Sequence, residues 1–258
     1  PLLDQLRAKE YDLSSLRQIG SGGALLTAGR KAELLERLPG IRILDALGSS
    51  ETGSQGNQMT RAGDAAGTGS FEMAADNSVL SEDLGRVLEP GSGEVGWLAK
   101  RGRVPLGYYK DPLKSARTFP EVDGVRYSIP GDRVVLEADG SLTLLGRDSV
   151  TINSGGEKIF AEEVEQALKH HPAVYDVVVV GTPNERWGQQ VTALVQLRPG
   201  QRPSEAELNE AAAESITRYK LPKVFVFVDA VTRAPSGKAD YRWAKDTAMA
   251  ALGIAPKS

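Results

Sequence analysis

The sequence predicts a mixed α/β (α+β) protein in two parts, and three observations carry that prediction. Helix-spaced apolar residues alternate with short apolar runs before about residue 75. From Leu84 to Leu145, strand-like runs follow one another between turn signals. After Gly146–Leu168, helical spacing again alternates with strongly apolar runs. The expected organisation is therefore residues 1–146, with an α/β piece over about 1–75 and a β subdomain over about 80–146, followed by a smaller α+β domain over 147–258.

Leu2 to Lys9 has the spacing of a helix end, and Leu16-Arg17-Gln18-Ile19 that of a short strand running into Gly20-Ser21-Gly22-Gly23-Ala24. A dinucleotide fingerprint is rejected there, because Leu25 stands where a third glycine is needed and no βαβ unit precedes it. Ala32, Leu35 and Leu38 predict a helix over 29–38, stopped by Pro39-Gly40. Ile41 to Leu44 reads as a buried strand, and Thr52 to Asn77, rich in glycine and polar residues, as a surface loop. Turn signals at Pro90-Gly91-Ser92-Gly93, Arg101-Gly102 and Asp139-Gly140 divide the β subdomain. Beyond Gly146, Phe160, Val164, Ala167 and Leu168 mark a helix face that Pro172 ends, with Glu162 and Glu163 suited to its positive N-terminus. Val174–Gly181 reads as a buried strand, and Val191, Ala193, Val195 and Leu197 alternate along the next. Ser204 and Glu207 form a capping box for a helix carrying Leu208, Ala212, Ile216 and Tyr219. A strand over Val224–Val228 and a helix over about 239–251 complete the chain.

Composition narrows the function. Hydrophobic content of 40% and charged content of 25% fit a water-soluble globular chain. The net charge of −3, with scattered basic residues, gives no reason to expect nucleic acid as a partner. Without cysteine there is no disulfide, thiolate metal site or cysteine nucleophile. The two histidines, His170 and His171, are adjacent, which argues against a His-dependent triad or a multi-histidine zinc site; they are assigned to an exposed helix end. No apolar run is long enough to span a bilayer and no signal peptide is visible, so the cytoplasm is the default. The chain begins abruptly at Pro1 in a helical segment, and is expected to be a piece of something larger.

Four stretches carry chemistry. In Gly48-Ser49-Ser50-Glu51-Thr52-Gly53, small hydroxyl residues and glycines after a strand let N–H and O–H groups approach a phosphate. Glu51 in that turn repels phosphate unless a divalent cation lies between them, which makes it a candidate magnesium ligand; a solvated glutamate is the plainer alternative. No Walker lysine-serine pair is present, so this is not a P-loop. Asp132, after the Pro130-Gly131 turn, suits the paired hydroxyls of a ribose, or simply caps a turn. The Gly146-Arg147-Asp148-Ser149 and Ser154-Gly155-Gly156-Glu157 segments join the two parts through flexible turns. Lys238, on the Ala234-Pro235-Ser236-Gly237 loop, is held out from the fold where a flexible ammonium can reach into a cleft; an exposed lysine at a helix start is the plainer alternative.

In this order and at these separations, the motifs resemble the C-terminal half of an acyl-CoA synthetase of the adenylate-forming superfamily, which includes luciferases and peptide-synthetase adenylation domains. Ser21-Gly22-Gly23-Ala24 is similar to the family's adenine-side loop, Leu47-Gly48-Ser49-Ser50-Glu51 to its Tyr-Gly-x-Thr-Glu motif and Gly131-Asp132 to its Thr-Gly-Asp. Gly146-Arg147 is similar to the opening of its hinge, and Pro235-Ser236-Gly237-Lys238 to its mobile-lysine loop. Leu47 replaces the adenine-stacking tyrosine, Pro130 the threonine before Gly-Asp, and Ser149 the usual hinge aspartate or lysine. The family's phosphate-gripping loop and most of its acyl pocket are expected upstream of Pro1.

The resemblance implies the C-terminal part of a large AMP-binding domain followed by a small hinged domain. It implies ATP, magnesium and coenzyme A as cofactors and a fatty or other hydrophobic carboxylic acid as substrate, with the upstream half of the same enzyme as partner. The implied roles are catalytic for Lys238, Glu51 (with magnesium) and Ser50. They are nucleotide-binding for Gly22, Gly23, Ala24, Leu47, Gly48, Ser49, Asp132 and Arg147. Asp148 and Ser149 are the implied hinge, and Gly155, Gly156, Glu157 and Lys158 face coenzyme A. Adenylation that loads a carrier protein, and a nucleotide- or CoA-binding fragment without activity, are the alternatives. The sequence leaves monomer and homodimer open, and peripheral membrane contact is compatible with a greasy substrate.

Overall fold

The computed structural model describes residues 2–24, 26–65 and 67–254, so Leu25, where the dinucleotide fingerprint fails, lies outside the described residues. The chain folds into two compact units, Pro1–Leu144 and Leu145–Ser258. Among the described residues, no helix is long and apolar enough to cross a membrane.

The first unit begins with α1 (Leu2–Ala8), β1 (Gln18–Gly22), α2 (Ala28–Arg37) and β2 (Arg42–Ser49). These make one crossover, with β1 and β2 paired in parallel. Leu34 and Leu35 of α2 pack on Ile41 and Ile43, so the helix stripe closes over β2. Lys31 on the same helix is fully buried and paired with Asp45 of β2. Its ammonium also donates to the Gly67 carbonyl at 2.9 Å, so the buried charge is both paired and hydrogen-bonded. The unit continues with β3 (Gly53–Arg61), β4 (Ser70–Met73), β5 (Asn77–Leu80) and β6 (Val95–Arg101). It closes with α3 (Pro112–Thr118), β7 (Glu121–Val122), β8 (Val125–Ser128), β9 (Asp132–Leu136) and the start of β10 (Ser141–Arg147), which runs on into the second unit. Among the described residues, ten strands form one sheet in the order β1-β2-β3-β4-β10-β9-β6-β8-β7, with β5 on β6. Leu47, Phe71, Val79, Leu98, Val134 and Leu142 form a core on it.

Three expectations change here. The loop foreseen over 52–77 contains β3 and β4. β3 reads Gly-Ser-Gln-Gly-Asn-Gln-Met-Thr-Arg, with no apolar alternation, yet it pairs antiparallel with β2 from Arg42↔Arg61 to Ser49↔Gly53. Its buried positions are polar or small, namely Gln55, Gly56 and Thr60. Ladder hydrogen bonds to a committed neighbour outweigh its weak intrinsic preference. The first strand lies at Gln18–Gly22 rather than 16–19, because parallel pairing with β2 draws Gly20 to Gly22 into the sheet. α3, unforeseen within the β subdomain, starts where the Asp111 carboxylate accepts the Lys114 amide and Pro112 occupies the first turn.

After the end of β10, the second unit continues with a 3-10 turn at Asp148–Val150, then β11 (Ile152–Ser154), β12 (Glu157–Ile159) and α4 (Ala161–Lys169). There follow β13 (Val174–Asn184), β14 (Gly188–Leu197), α5 (Glu205–Ala213), β15 (Val224–Phe227) and α6 (Tyr241–Ala251). The sheet order is β12-β11-β14-β13, with β15 parallel on β14. The unbroken run Val177-Val178-Val179-Val180 has a simple cause. Val177 and Val179 face Val164, Leu168, Leu208 and Ala212 on one side, while Val178 and Val180 face Ala244 and Ala248 on the other. A strand covered by helices on both faces needs no polar alternation.

The capping box at Ser204 and Glu207 forms in full. α5 ends at Ala213, so Ile216 and Tyr219, expected on its apolar side, lie beyond it. The final helix starts at Tyr241 because the Asp240 carboxylate accepts the Trp243 amide.

Candidate functional site

Two motifs that the sequence separates are neighbours in the first unit. Gly22 at the end of β1 pairs with Ala46 of the parallel β2. Both strands therefore emerge at the same edge, where Gly23-Ala24 follows one and Ser50-Glu51 the other. The carboxyl ends of adjacent parallel strands are where open α/β sheets seat ligands.

The turn after β2 is tied by its own hydroxyl groups. The Ser49 and Thr52 hydroxyls lie 3.0 Å apart, and the Glu51 amide donates to Ser49 Oγ at 3.2 Å. Ser50 is exposed. Two residues from the β subdomain then hold Glu51. The Tyr108 hydroxyl donates to Glu51 Oε1 at 2.6 Å, and the buried Ser128 hydroxyl donates to the Glu51 carbonyl at 3.0 Å. Burial, and then the neighbouring carboxylate, push the Tyr108 phenol above its ordinary range, so it stays a donor. The Lys114 ammonium sits 4.1 Å from the Tyr108 ring centre, and the Phe119 ring lies 5.6 Å away, which fixes the phenol's plane. Neither Tyr108 nor Ser128 stood out by spacing. The only trace of Ser128 is its place just before the Pro-Gly-Asp turn.

Asp132 opens β9, 4% exposed, after Gly131 with its left-handed φ of 109°. Ser128 thus connects the Glu51 turn to the segment that ends in Asp132. Leu47 has its side chain in the core with Phe71 and Leu98, which leaves Ala46 and Gly48 as the exposed positions of that strand end.

In the second unit Arg147 and Ser149 are exposed, and Asp148 is partly so, at the 3-10 turn. Gly155 and Gly156 form the two-residue turn of a hairpin in which Ser154 pairs with Glu157 and Asn153 with Lys158. Their φ values of 62° and 91° match a primed turn, which is why two glycines stand there. The Gly155 amide donates to the Trp187 carbonyl at 2.9 Å, so the hairpin is fixed to the start of β14.

Lys238 is exposed on a turn closed by Gly237 N–H to the Ala234 carbonyl (2.8 Å) and Ala234 N–H to the Lys238 carbonyl (2.9 Å). Arg233 anchors this turn. Its guanidinium donates to both carboxylate oxygens of Asp176 at 2.6 and 2.7 Å, and to the Gly237 carbonyl at 3.1 Å. Burial alone raises the Asp176 pKa, but Arg233 and Lys169 outweigh it and hold the carboxyl down at about 2. Arg233 carried no motif in the sequence.

Residues 163–238 match the family model of the AMP-binding enzyme C-terminal domain. Across 96% of its length the chain is 53% identical to the medium-chain acyl-CoA ligase Mig of Mycobacterium avium. Residues 163–238 thus belong to the AMP-binding enzyme C-terminal domain family, and the chain as a whole is similar to part of such a ligase. Another relative, the 3-oxocholest-4-en-26-oate–CoA ligase of Rhodococcus rhodochrous, is 49% identical over 95% of the chain. The chain spans 45% of the length of each of these two relatives, about half of either protein. Among solved adenylate-forming enzymes, the anthranilate CoA ligase AuaEII in complex with anthranoyl-AMP matches at a TM-score of 0.78 and 28% identity, covering 95% of this chain and 47% of that one.

The residues also fit the cation that adenylate-forming enzymes imply. Glu51 offers a hard oxygen ligand whose carboxylate is already oriented by a hydroxyl donor. No group of three or more His, Cys, Asp or Glu residues gathers among the described residues. One carboxylate completed by substrate phosphates and water is the usual manner of holding magnesium, whereas an all-protein cage is not.

Proposed function

We propose that this chain is the C-terminal part of an ATP-dependent acyl-CoA ligase acting on a medium- or long-chain, or otherwise hydrophobic, carboxylic acid. The observation that carries the reading is the Gly22↔Ala46 register, which sets the Gly22-Gly23-Ala24 loop beside Gly48-Ser49-Ser50-Glu51 at one strand edge. The relatives named as medium-chain and steroid-acid CoA ligases support the substrate class.

In this reading the substrate carboxylate attacks the α-phosphorus of ATP and pyrophosphate leaves; the thiol of coenzyme A then takes the acyl group from the acyl-adenylate, losing its proton and releasing AMP. Ser50, with the exposed backbone around Gly48 and Ser49, donates to phosphate oxygens. Asp132 accepts from the ribose hydroxyls, supported by Arg147, and the Gly22–Ala24 loop borders the adenine. Glu51 holds magnesium, which when bound offsets charge on the phosphates. Lys238 brings a cation to the α-phosphoryl oxygens, where charge builds as the adenylate forms. Turning of the second unit about Asp148-Ser149 then replaces Lys238 by the Gly155-Gly156-Glu157-Lys158 hairpin for the thiol step.

ATP–pyrophosphate exchange, measured on this chain alone and after adding the upstream half of an acyl-CoA ligase relative, tests the reading. Exchange that appears on complementation and depends on a fatty acid supports it. Exchange that never appears, while titration calorimetry shows no nucleotide binding, overturns it. Transfer to an acyl carrier protein in place of coenzyme A identifies the carrier-loading alternative.

A further inference from the structure

Glu162 has no part in the chemistry above, yet it sits against the segment joining the two units. It lies in the first turn of α4, and its Oε1 accepts the Arg147 amide at 3.3 Å. Its other oxygen, Oε2, is buried and has no hydrogen-bond partner among the described residues. The carboxyl group packs so closely on Gly146 that a Cβ there would collide with Oε2 and lie 2.9 Å from Cδ. Gly146 itself has φ of 144°, a shape that favours glycine. One side chain thus fills the space beside Gly146 and holds the next amide.

We propose that Glu162 is a positioning residue for the connection between the units, fixing the Gly146–Arg147 backbone through its carboxyl group in a manner that depends on whether that group carries a proton. The surroundings supply the proton dependence. Burial first, then the charge of Glu165 on the same helix, raise the Glu162 pKa to about 7, against the pull of the α4 backbone and Arg147. Glu165 is itself buried, and burial lifts its pKa as well. Tyr241 of α6 faces both carboxyls, and its phenol is pushed far up by burial and by their charge. Besides Arg147, the cations in the neighbourhood are engaged by other groups. Lys169 and Arg233 bind Asp176, and Lys220 binds Glu163 at 2.6 Å. Near neutral pH the Glu162 carboxyl is divided between two forms. The carboxylate is the stronger acceptor for Arg147 N–H; the neutral acid removes a buried charge and holds that amide less tightly.

The inference rests on the proposed function only for its consequence in turnover, since the grip on the connection belongs to this chain. Its test therefore needs no activity. The Arg147 amide is followed by nitrogen–proton NMR and hydrogen exchange between pH 5.5 and 8.5 in the chain, in Glu162→Gln and in Glu162→Ala, with circular dichroism as a check on folding. The expected result is one titration step of the Arg147 amide near pH 7 in the parent chain and none in Glu162→Gln. Exchange of that amide is expected to be about 10-fold faster in Glu162→Ala, from loss of the acceptor. A step that persists in Glu162→Gln assigns the titration to another group and overturns the proposal, as does an unchanged exchange rate in Glu162→Ala. Gly146→Ala supplies a second reading if Glu162→Ala folds poorly. Its thermal destabilisation should shrink when combined with Glu162→Gly, and an undiminished loss overturns the packing that the proposal requires.

Discussion

The Tyr108 hydroxyl donates to Glu51 Oε1 at 2.6 Å, joining the loop before α3 to the turn after β2. The bond holds the carboxylate in one direction before any cation arrives. Tyr108→Phe removes the donor while keeping the ring on Phe119. In the complemented enzyme it is expected to weaken magnesium about 10-fold, as loss of an orienting partner commonly does. A magnesium titration of ATP–pyrophosphate exchange reads this directly. An unchanged magnesium dependence would remove Tyr108 from the site.

Lys238→Ala should separate the two half-reactions. Adenylation is expected to fall by roughly 100-fold or more, the scale of losing one fixed charge aimed at the transition state. Thioester formation from supplied acyl-adenylate should stay near its parent rate. Equal loss in both would deny Lys238 its separate part.

For Asp132→Ala the expected change is weaker ATP binding, about 10-fold or more for a lost charged hydrogen-bond acceptor. Titration calorimetry measures it, and an unaltered dissociation constant speaks against contact with the ribose. Because Asp132 is 4% exposed at the start of a central strand, its melting temperature is recorded alongside.

Arg233→Ala leaves Asp176 with Lys169 and the Val177 amide and frees the turn that carries Lys238. Breaking one side of such a partly buried pair is expected to cost about 2 to 3 kcal/mol. With the Asp176 pKa near 2 instead of the ordinary 3.8, the pair stabilises the fold fully above pH 4 and progressively less as acidity approaches pH 2. The parent chain should therefore lose stability on acidification across that window, and Arg233→Ala should lose much less. Parallel acid titrations that differ by a constant would contradict this.

The linkage of Glu162 has the opposite sign. Its folded pKa of about 7 lies above the ordinary 4.5, so the contribution of its neutral form is complete below pH 4.5 and disappears as pH rises through 7. Glu162→Gln should accordingly stabilise the chain at pH 8, by at most about 3 kcal/mol on the scale of 1.4 per pKa unit, and scarcely at pH 4.5. Urea unfolding at the two pH values measures the difference. A variant less stable at pH 8 than the parent would reverse the argument.

Local pattern was enough for several parts of the molecule. The Ser204–Glu207 cap, the Gly155-Gly156 turn and the valine run of β13 each lie within a few residues, and their conformations follow from hydrogen-bonding reach, permitted φ and burial. β3 escaped that reading because nothing in Gly-Ser-Gln-Gly-Asn-Gln-Met-Thr-Arg prefers a strand until β2 offers its edge. α3 escaped it because Asp111-Pro112 is equally the opening of a turn.

By itself, the sequence determined the presence of two parts, most elements of the second, and the motifs Gly22–Ala24, Gly48–Glu51, Gly131-Asp132 and Lys238, since these are written in spacing and residue type along the chain. Only the tertiary structure decided what holds those motifs: Tyr108 and Ser128 on Glu51, Arg233 and Asp176 beneath Lys238, and Glu162 against Gly146. These are contacts between residues well separated in the chain, and they follow no helical or strand period. Such a contact exists only once packing has paid the entropy of bringing its ends together, so no local pattern can announce it.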